Sequence, residues 1–119
     1  MKRVRRLLSK FAGGCALAGA LSALAPLEAT HTACELALSS DRHARLAIAS
    51  ALEWRFKLVG DDVVIDHLAS DADPEIRRAA ARAAWIRRAD GVDPAVLARL
   101  VHDPDPAVRD IAALAAPYR

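Results

Sequence analysis

One segment of this chain occurs twice at a fixed spacing. Residues 68–85, LASDADPEIRRAAARAAW, return 32 residues later as LVHDPDPAVRDIAALAA, residues 100–116. The copies share a leucine, two aspartates, a proline, an arginine and two alanines. A weaker copy precedes them, in which Leu36, Arg45 and Ala51 keep the leucine, arginine and alanine positions. A repeat of this length predicts a fold that stacks similar units, because one unit cannot bury its apolar face alone.

The offset divides most of the chain into units 27–58, 59–90 and 91–116, each predicted to form two helices. Aspartate before proline marks several helix starts, because the carboxylate accepts backbone N–H bonds and proline has no N–H to lose. The predicted helix-capping residues are Asp41, Asp61, Asp73, Asp93 and Asp105.

The predicted helices alternate with short turns. They span about 27–38 and 42–56 in the first unit, 62–69 and 74–89 in the second, and start at Pro94 and Pro106 in the third. Gly60 breaks the chain before the second unit. Trp54 aligns with Ile86 and is predicted to lie in the core.

Composition supports a helical fold. Apolar residues make up 54% of the chain but aromatic residues only 4%, so alanine, leucine and valine dominate. These residues suit closely packed helices, and no segment alternates cleanly with the period of a strand. The expected fold is all-α: an α-α superhelix of about three helix pairs, preceded by an apolar helical segment.

That apolar segment, residues 1–26, has two interpretations. Lys2, Arg3, Arg5, Arg6 and Lys10 precede the apolar residues 11–25, which resembles an export signal. The possible cleavage site at Ala23-Leu24-Ala25 is poor because Pro26 follows it. The alternative is a buried first helix of the superhelix. The chain is expected to be exported if residues 1–26 are a signal, and cytoplasmic if they form the first helix.

A membrane role is expected only if residues 1–25 act as an anchor. Fifteen apolar residues in a helix reach roughly 22 Å, less than the ~30 Å hydrocarbon core.

Charge is unevenly distributed. Residues 11–119 carry twelve basic and fifteen acidic side chains, a net charge of −3, although the whole chain has +2. An acidic body makes nucleic acid an unlikely partner.

The repeated pattern LxxDxDPxxRxxAxxA resembles the HEAT repeat, in particular the short bacterial HEAT-like repeats also found in phycobilin lyases. The resemblance covers roughly residues 27–116. It implies an armadillo-like solenoid in which a turn aspartate and the arginine six residues on form a ladder of hydrogen bonds between adjacent units. That assigns Asp71, Arg77, Asp103 and Arg109 to the ladder. Arg45 keeps the arginine position, but Ser39 replaces the aspartate in the first unit.

Catalytic chemistry has little support in the sequence. His31 and Glu35, and likewise His67 and Asp71, are spaced to share a helix face, but a metal site needs at least three ligands. The His-Glu pairs of HEAT-like iron hydroxylases are missing, and so is a phosphate-binding loop. We therefore expect no catalytic residue, metal, cofactor or small-molecule substrate.

The concave face of the superhelix is one candidate for binding. Glu75, Arg78, Arg82 and Trp85 lie on one stripe of a second-helix face, opposite the alanine positions. Two arginines beside a tryptophan suit an acidic peptide or a phosphate, although the same stripe also fits a solvated surface.

The expected function is a non-enzymatic scaffold that binds another protein, or a second copy of itself, through the concave face or an exposed end. One alternative is an accessory subunit of a lyase or maturation enzyme. A weaker alternative is nucleic-acid backbone binding through Arg42, Arg45, Arg78 and Arg82.

Overall fold

A computed structural model describes residues 14–54, 56–90 and 92–114. These residues form an all-α structure, with no strand in the described ranges, which confirms the predicted class. The described residues form seven α-helices: α1 Gly14–Ser22, α2 Pro26–Leu38, α3 Arg42–Ala51, α4 Asp61–Ala69, α5 Pro74–Ile86, α6 Pro94–Leu100 and α7 Pro106–Leu114. A 3-10 helix, Arg88–Asp90, lies between α5 and α6.

Most helix starts follow the predicted capping chemistry. Asp41, Asp73 and Asp93 each accept a hydrogen bond from the backbone amide two residues further along. Asp105 accepts one from the amide of Val108 at 3.1 Å. Each cap satisfies a backbone donor that the first helical turn leaves free.

The start of α4 differs from the prediction. Gly60, at a φ of 80°, is the capping residue, and Asp61 is the first residue of the helix. Glycine adopts this left-handed conformation readily because it has no Cβ. The prediction that Asp61 caps α4 was therefore wrong, and its carboxylate accepts a bond from Arg87 instead.

Helix α3 ends at Ala51, five residues before the predicted end. The following carbonyls of Leu52 and Trp54 accept hydrogen bonds from Arg87 and do not continue the helix. Trp54 lies beyond the helix and is 51% exposed, so its predicted core position was wrong. Its counterpart Ile86 is the last residue of α5, and the two positions are therefore not structurally equivalent.

The helix contacts run in two rows. Helices α1, α3, α5 and α7 pack one on the next in one row, and α2, α4 and α6 do so in the other. Each helix also packs on its neighbours in the chain. This arrangement places corresponding side chains of successive sequence units next to one another.

Helix α5 is the centre of the core. It packs on α3, α4, α6 and α7, and its buried side chains are alanines except for Ile76. Small side chains let helix axes approach closely, which explains the alanine-rich composition. The fully buried alanines are Ala79, Ala80, Ala81, Ala83 and Ala84.

Helix α1 is docked on the rest of the structure. It packs on α2 and α3, with Leu17 and Leu21 fully buried. Among the residues that the structure describes, no helix has the length and apolarity needed to cross a membrane. The basic residues Lys2 to Lys10, and the predicted end of the third unit at residues 115–116, lie outside the described residues.

Candidate functional site

Two arginine–aspartate pairs join successive sequence units. The Nε atom of Arg45 on α3 donates to Asp71 before α5 at 2.8 Å. The Nε atom of Arg77 on α5 donates to Asp103 before α7 at 2.9 Å. Both pairs are largely shielded from solvent. The arginine of one unit thus binds the turn of the next unit along the row.

The same aspartates also hold their own turns. The second carboxylate oxygen of Asp71 accepts the amide of Asp73 at 2.9 Å, and Asp103 accepts the amide of Asp105 at 2.9 Å. Each carboxylate therefore has partners that fix its direction before the neighbouring arginine binds it. A fixed acceptor strengthens a charge-assisted hydrogen bond, because less freedom is lost on pairing.

Each arginine has a further bond within its own unit. The NH1 atom of Arg77 donates to the carbonyl of Asp71 at 2.8 Å, and that of Arg109 donates to the carbonyl of Asp103 at 2.8 Å. Arg45 donates in the same way to the carbonyl of Ser39 at 3.0 Å. The structure thus brings together the four residues that the resemblance assigns to a ladder. Among the described residues, Arg109 is bonded to its own turn alone.

The four residues of the predicted concave stripe, Glu75, Arg78, Arg82 and Trp85, are engaged within the chain. Arg78 donates two bonds of 2.9 Å to Asp105, and Arg82 donates to Glu53 at 2.6 Å. Glu75 accepts a bond of 2.6 Å from Arg42. The Arg88 guanidinium lies over Trp85, with its central carbon 4.6 Å from the centroid of the Trp85 ring. Both arginines of the stripe are therefore already bonded to a carboxylate of the chain itself, and an external anion would have to compete with it.

These pairs change the acidity of the turn carboxylates. The hydrogen bonds from Arg78, helped by the amide of Val108, lower the pKa of Asp105 from 3.8 to about 2. Arg42 lowers the pKa of Asp73 in the same way, helped by the amide of Glu75. Both carboxylates are consequently ionised in the folded protein at neutral pH.

The nucleic-acid alternative requires exposed, unpaired arginines. Arg42 pairs with Asp73, and Arg45, Arg78 and Arg82 are paired as described above. Each of the four candidate arginines therefore has a carboxylate partner. Binding to phosphates would first have to replace these pairs.

The histidines lie apart from this network. His31 pairs with Glu35 at 2.8 Å, whereas Asp71, the expected partner of His67, accepts from Arg45. His67 and Cys34 line a shallow apolar cleft of about 120 Å³ between α2 and α4. In the described ranges, no group of three or more histidine, cysteine or acidic side chains is placed to hold a metal ion.

Arg87 is a buried charge whose partners the sequence did not indicate. Arg87 is 3% exposed. Its side chain donates to Asp61 and to the carbonyls of Leu52 and Trp54 after α3. The guanidinium lies 4.9 Å from the centre of the Phe56 ring. It thereby fastens the α3–α4 connection to α5. One signal was available, since Arg55 and Arg119 stand 32 residues to either side of Arg87.

The most distinctive surface lies at the third unit. Leu97 lies on α6, and Val101, four residues later, is the residue that caps the end of that helix. Arg109 and Ala113 are four residues apart on α7. Residues four apart share one side of a helix. We call these four residues the end face. Leu97 and Val101 are half-buried, and Arg109 and Ala113 are exposed.

The corresponding positions of the second unit are either buried or bonded to the third unit. Arg77 is bonded to the next unit, and the three apolar counterparts of the end face are at most 4% exposed. The end face thus consists of positions that the second unit either buries or bonds to its successor. The counterparts of Leu97, Val101 and Ala113 are Ile65, Ala69 and Ala81.

Comparison with protein-family models, with curated proteins and with solved structures gives no match to this chain.

Proposed function

We propose that this chain is a non-enzymatic α-α superhelix of the HEAT-like kind, and that it binds another protein through its end face. The observation that carries the proposal is the contrast between equivalent positions. Apolar positions that are buried in the second unit are half-buried or exposed at the equivalent places of the third unit.

Apolar exposure supports this proposal. Apolar area that is exposed on the outer surface of a repeat unit favours association. Here Leu97 and Val101 are half-buried apolar residues, Ala113 is exposed, and Leu114, next to it in the chain, is 64% exposed. Burying such side chains yields about 25 cal/mol for each Å² removed from water.

The charges of the concave stripe favour the end face over that stripe. Glu75, Arg78 and Arg82 are bonded to neighbouring units, so a ligand there would compete with internal partners. Arg109 makes no ion pair with any residue that the structure describes, and its guanidinium already has one side fixed by its own turn. It is therefore free to pair with an incoming carboxylate.

The test compares two charge substitutions in the full chain, expressed in the cells that naturally contain it. Ala113→Asp places a carboxylate on the exposed apolar surface. Ser40→Asp adds the same charge in an exposed turn of the first unit. We expect the unaltered chain and Ser40→Asp to elute in a complex larger than the chain itself, and Ala113→Asp to elute alone. Identical elution of all three proteins at the mass of the free chain would refute the proposal.

A further inference from the structure

We propose that the protein bound at the end face is a helical hairpin whose turn carries an aspartate, and that this aspartate pairs with Arg109 as the next rung of the Arg45–Asp71 and Arg77–Asp103 series. This inference rests on the proposed function and specifies the chemistry of the partner. Its basis is the regular geometry of the two complete rungs and the incomplete third.

Arg109 has the same internal attachment as the two paired arginines. Its NH1 atom donates to the carbonyls of Asp103 and Pro104, at 2.8 and 3.1 Å, as that of Arg77 does to its own turn. In Arg45 and Arg77 the Nε edge then reaches the aspartate of the next unit. The corresponding edge of Arg109 has no carboxylate partner in the described part of the chain.

The apolar surroundings define the shape of the partner. In the complete rung, Ala81 lies one helical turn after Arg77 and is fully buried, on a helix that packs on α7 of the next unit. Ala113 has the same relation to Arg109 and is exposed. An extended peptide or a lone carboxylate would satisfy Arg109 but leave the apolar residues of α6 and α7 uncovered. Two packed helices joined by an acidic turn satisfy both.

A second copy stacked head to tail fits this surface less well. The first unit has Ser39 where the rung requires an aspartate. The side of α3 that would meet the preceding unit is already covered by α1. A copy of the chain therefore offers neither the carboxylate nor an open complementary surface at that end.

The experiment supplies a defined hairpin in place of the unknown partner. The full chain is extended by a copy of residues 88–119, one period of the repeat, so that the copied Asp103 falls 32 residues after the original. Amide hydrogen exchange of α6 and α7 is then measured in the natural and the extended chains. We expect exchange in both helices to slow by at least about tenfold on extension, because a docked unit suppresses local opening.

A double-mutant cycle tests the pair itself. Arg109→Gln in the chain should reduce about tenfold the factor by which the extension raises the folding equilibrium constant. Asp103→Asn in the added copy alone should have the same effect, as expected for the loss of a charge-assisted hydrogen bond. The two changes together should cost no more than either one, since they remove the same interaction. Additive effects, or no effect of either change, would overturn the assignment of the rung.

Two further outcomes would also overturn it. One is an added copy that leaves exchange in α6 and α7 unchanged. The other is sedimentation of the natural chain as a dimer that Ala113→Asp dissociates, which would show a second copy on the end face. If the rung fails while Ala113→Asp still releases the cellular complex, the end face remains a binding surface and only the aspartate-turn hairpin is rejected.

Discussion

Arg77 and Arg109 occupy equivalent positions but have different surroundings. Both donate to the carbonyls of their own turn, while only Arg77 also binds an aspartate of the following unit. The pair with Asp103 is mostly withdrawn from water, with the two side chains 14% and 7% exposed. Removing one partner of such a pair leaves the other charge without compensation, which is costly.

We expect Arg77→Gln to lower the free energy of unfolding by about 3 kcal/mol. Arg109→Gln serves as the matched control, because it loses bonds of the same kind to its own turn but no ion pair. Its cost should not exceed about 1 kcal/mol. Urea denaturation of both proteins measures the difference, and equal losses would show that the bond between units contributes nothing.

The Arg78–Asp105 pair makes stability depend on acid. Arg78 lowers the folded-state pKa of Asp105 from 3.8 to about 2, so the folded protein binds the proton less readily than the unfolded chain does. The resulting stabilisation is complete above the unfolded pKa, and it is lost as the pH falls from about 4 to about 2.

An NMR titration of the Asp105 carboxyl group should give a midpoint near 2 in the unaltered protein. In Arg78→Gln the midpoint should rise toward 3.8, and the acid-dependent loss of stability between pH 4 and 2 should become smaller. Arg99→Gln is the control, since Arg99 pairs with Asp66 and does not contact Asp105. An Asp105 midpoint that is the same in all three proteins would contradict this origin of the shift.

Among the elements, helix starts were the easiest to predict and helix ends the hardest. The starts of α3, α5, α6 and α7 follow from aspartate and proline acting on the adjacent backbone amides, so local sequence suffices. The end of α3 depends on Arg87, which lies 35 residues beyond Leu52. No pattern within α3 reveals that this distant guanidinium takes the next carbonyls.

Arg87 is therefore expected to stabilise the connection between α3 and α4. Arg87→Met keeps much of the apolar stem but leaves Asp61 and two backbone carbonyls without their donor. We expect a loss of about 3 kcal/mol in the free energy of unfolding. Arg82→Met removes the more exposed pair with Glu53 and should cost less than about 1 kcal/mol. Comparable losses in denaturant titrations would contradict a special role for Arg87.

Across the whole molecule, the repeat predicted the all-α class and which residues are equivalent. It also placed the arginines and turn aspartates at positions where the structure pairs them. It did not predict the internal ion pairs of Glu75, Arg78 and Arg82, because these charges are not repeated. The equivalent positions of the first unit are His43, Leu46 and Ser50. The candidate site consequently moves from the concave stripe to the end face.

The end face is recognisable only when sequence register and exposure are combined. Sequence alone shows that Leu97 and Ile65 are equivalent, but not that Leu97 is half-buried while Ile65 is fully buried. The difference arises because α4 has α6 beside it in its row. Exposure of a position that is elsewhere buried is the physical reason to expect a bound protein there.

Site-specific photocrosslinking in cells that naturally contain the protein tests this claim most directly. A photoreactive phenylalanine analogue replaces Ala113 on the end face in one full-length protein and Ser40 in the other. We predict that light yields one discrete crosslinked protein from position 113 and none from position 40. Equal labelling at the two positions, or no adduct at position 113, would contradict the account.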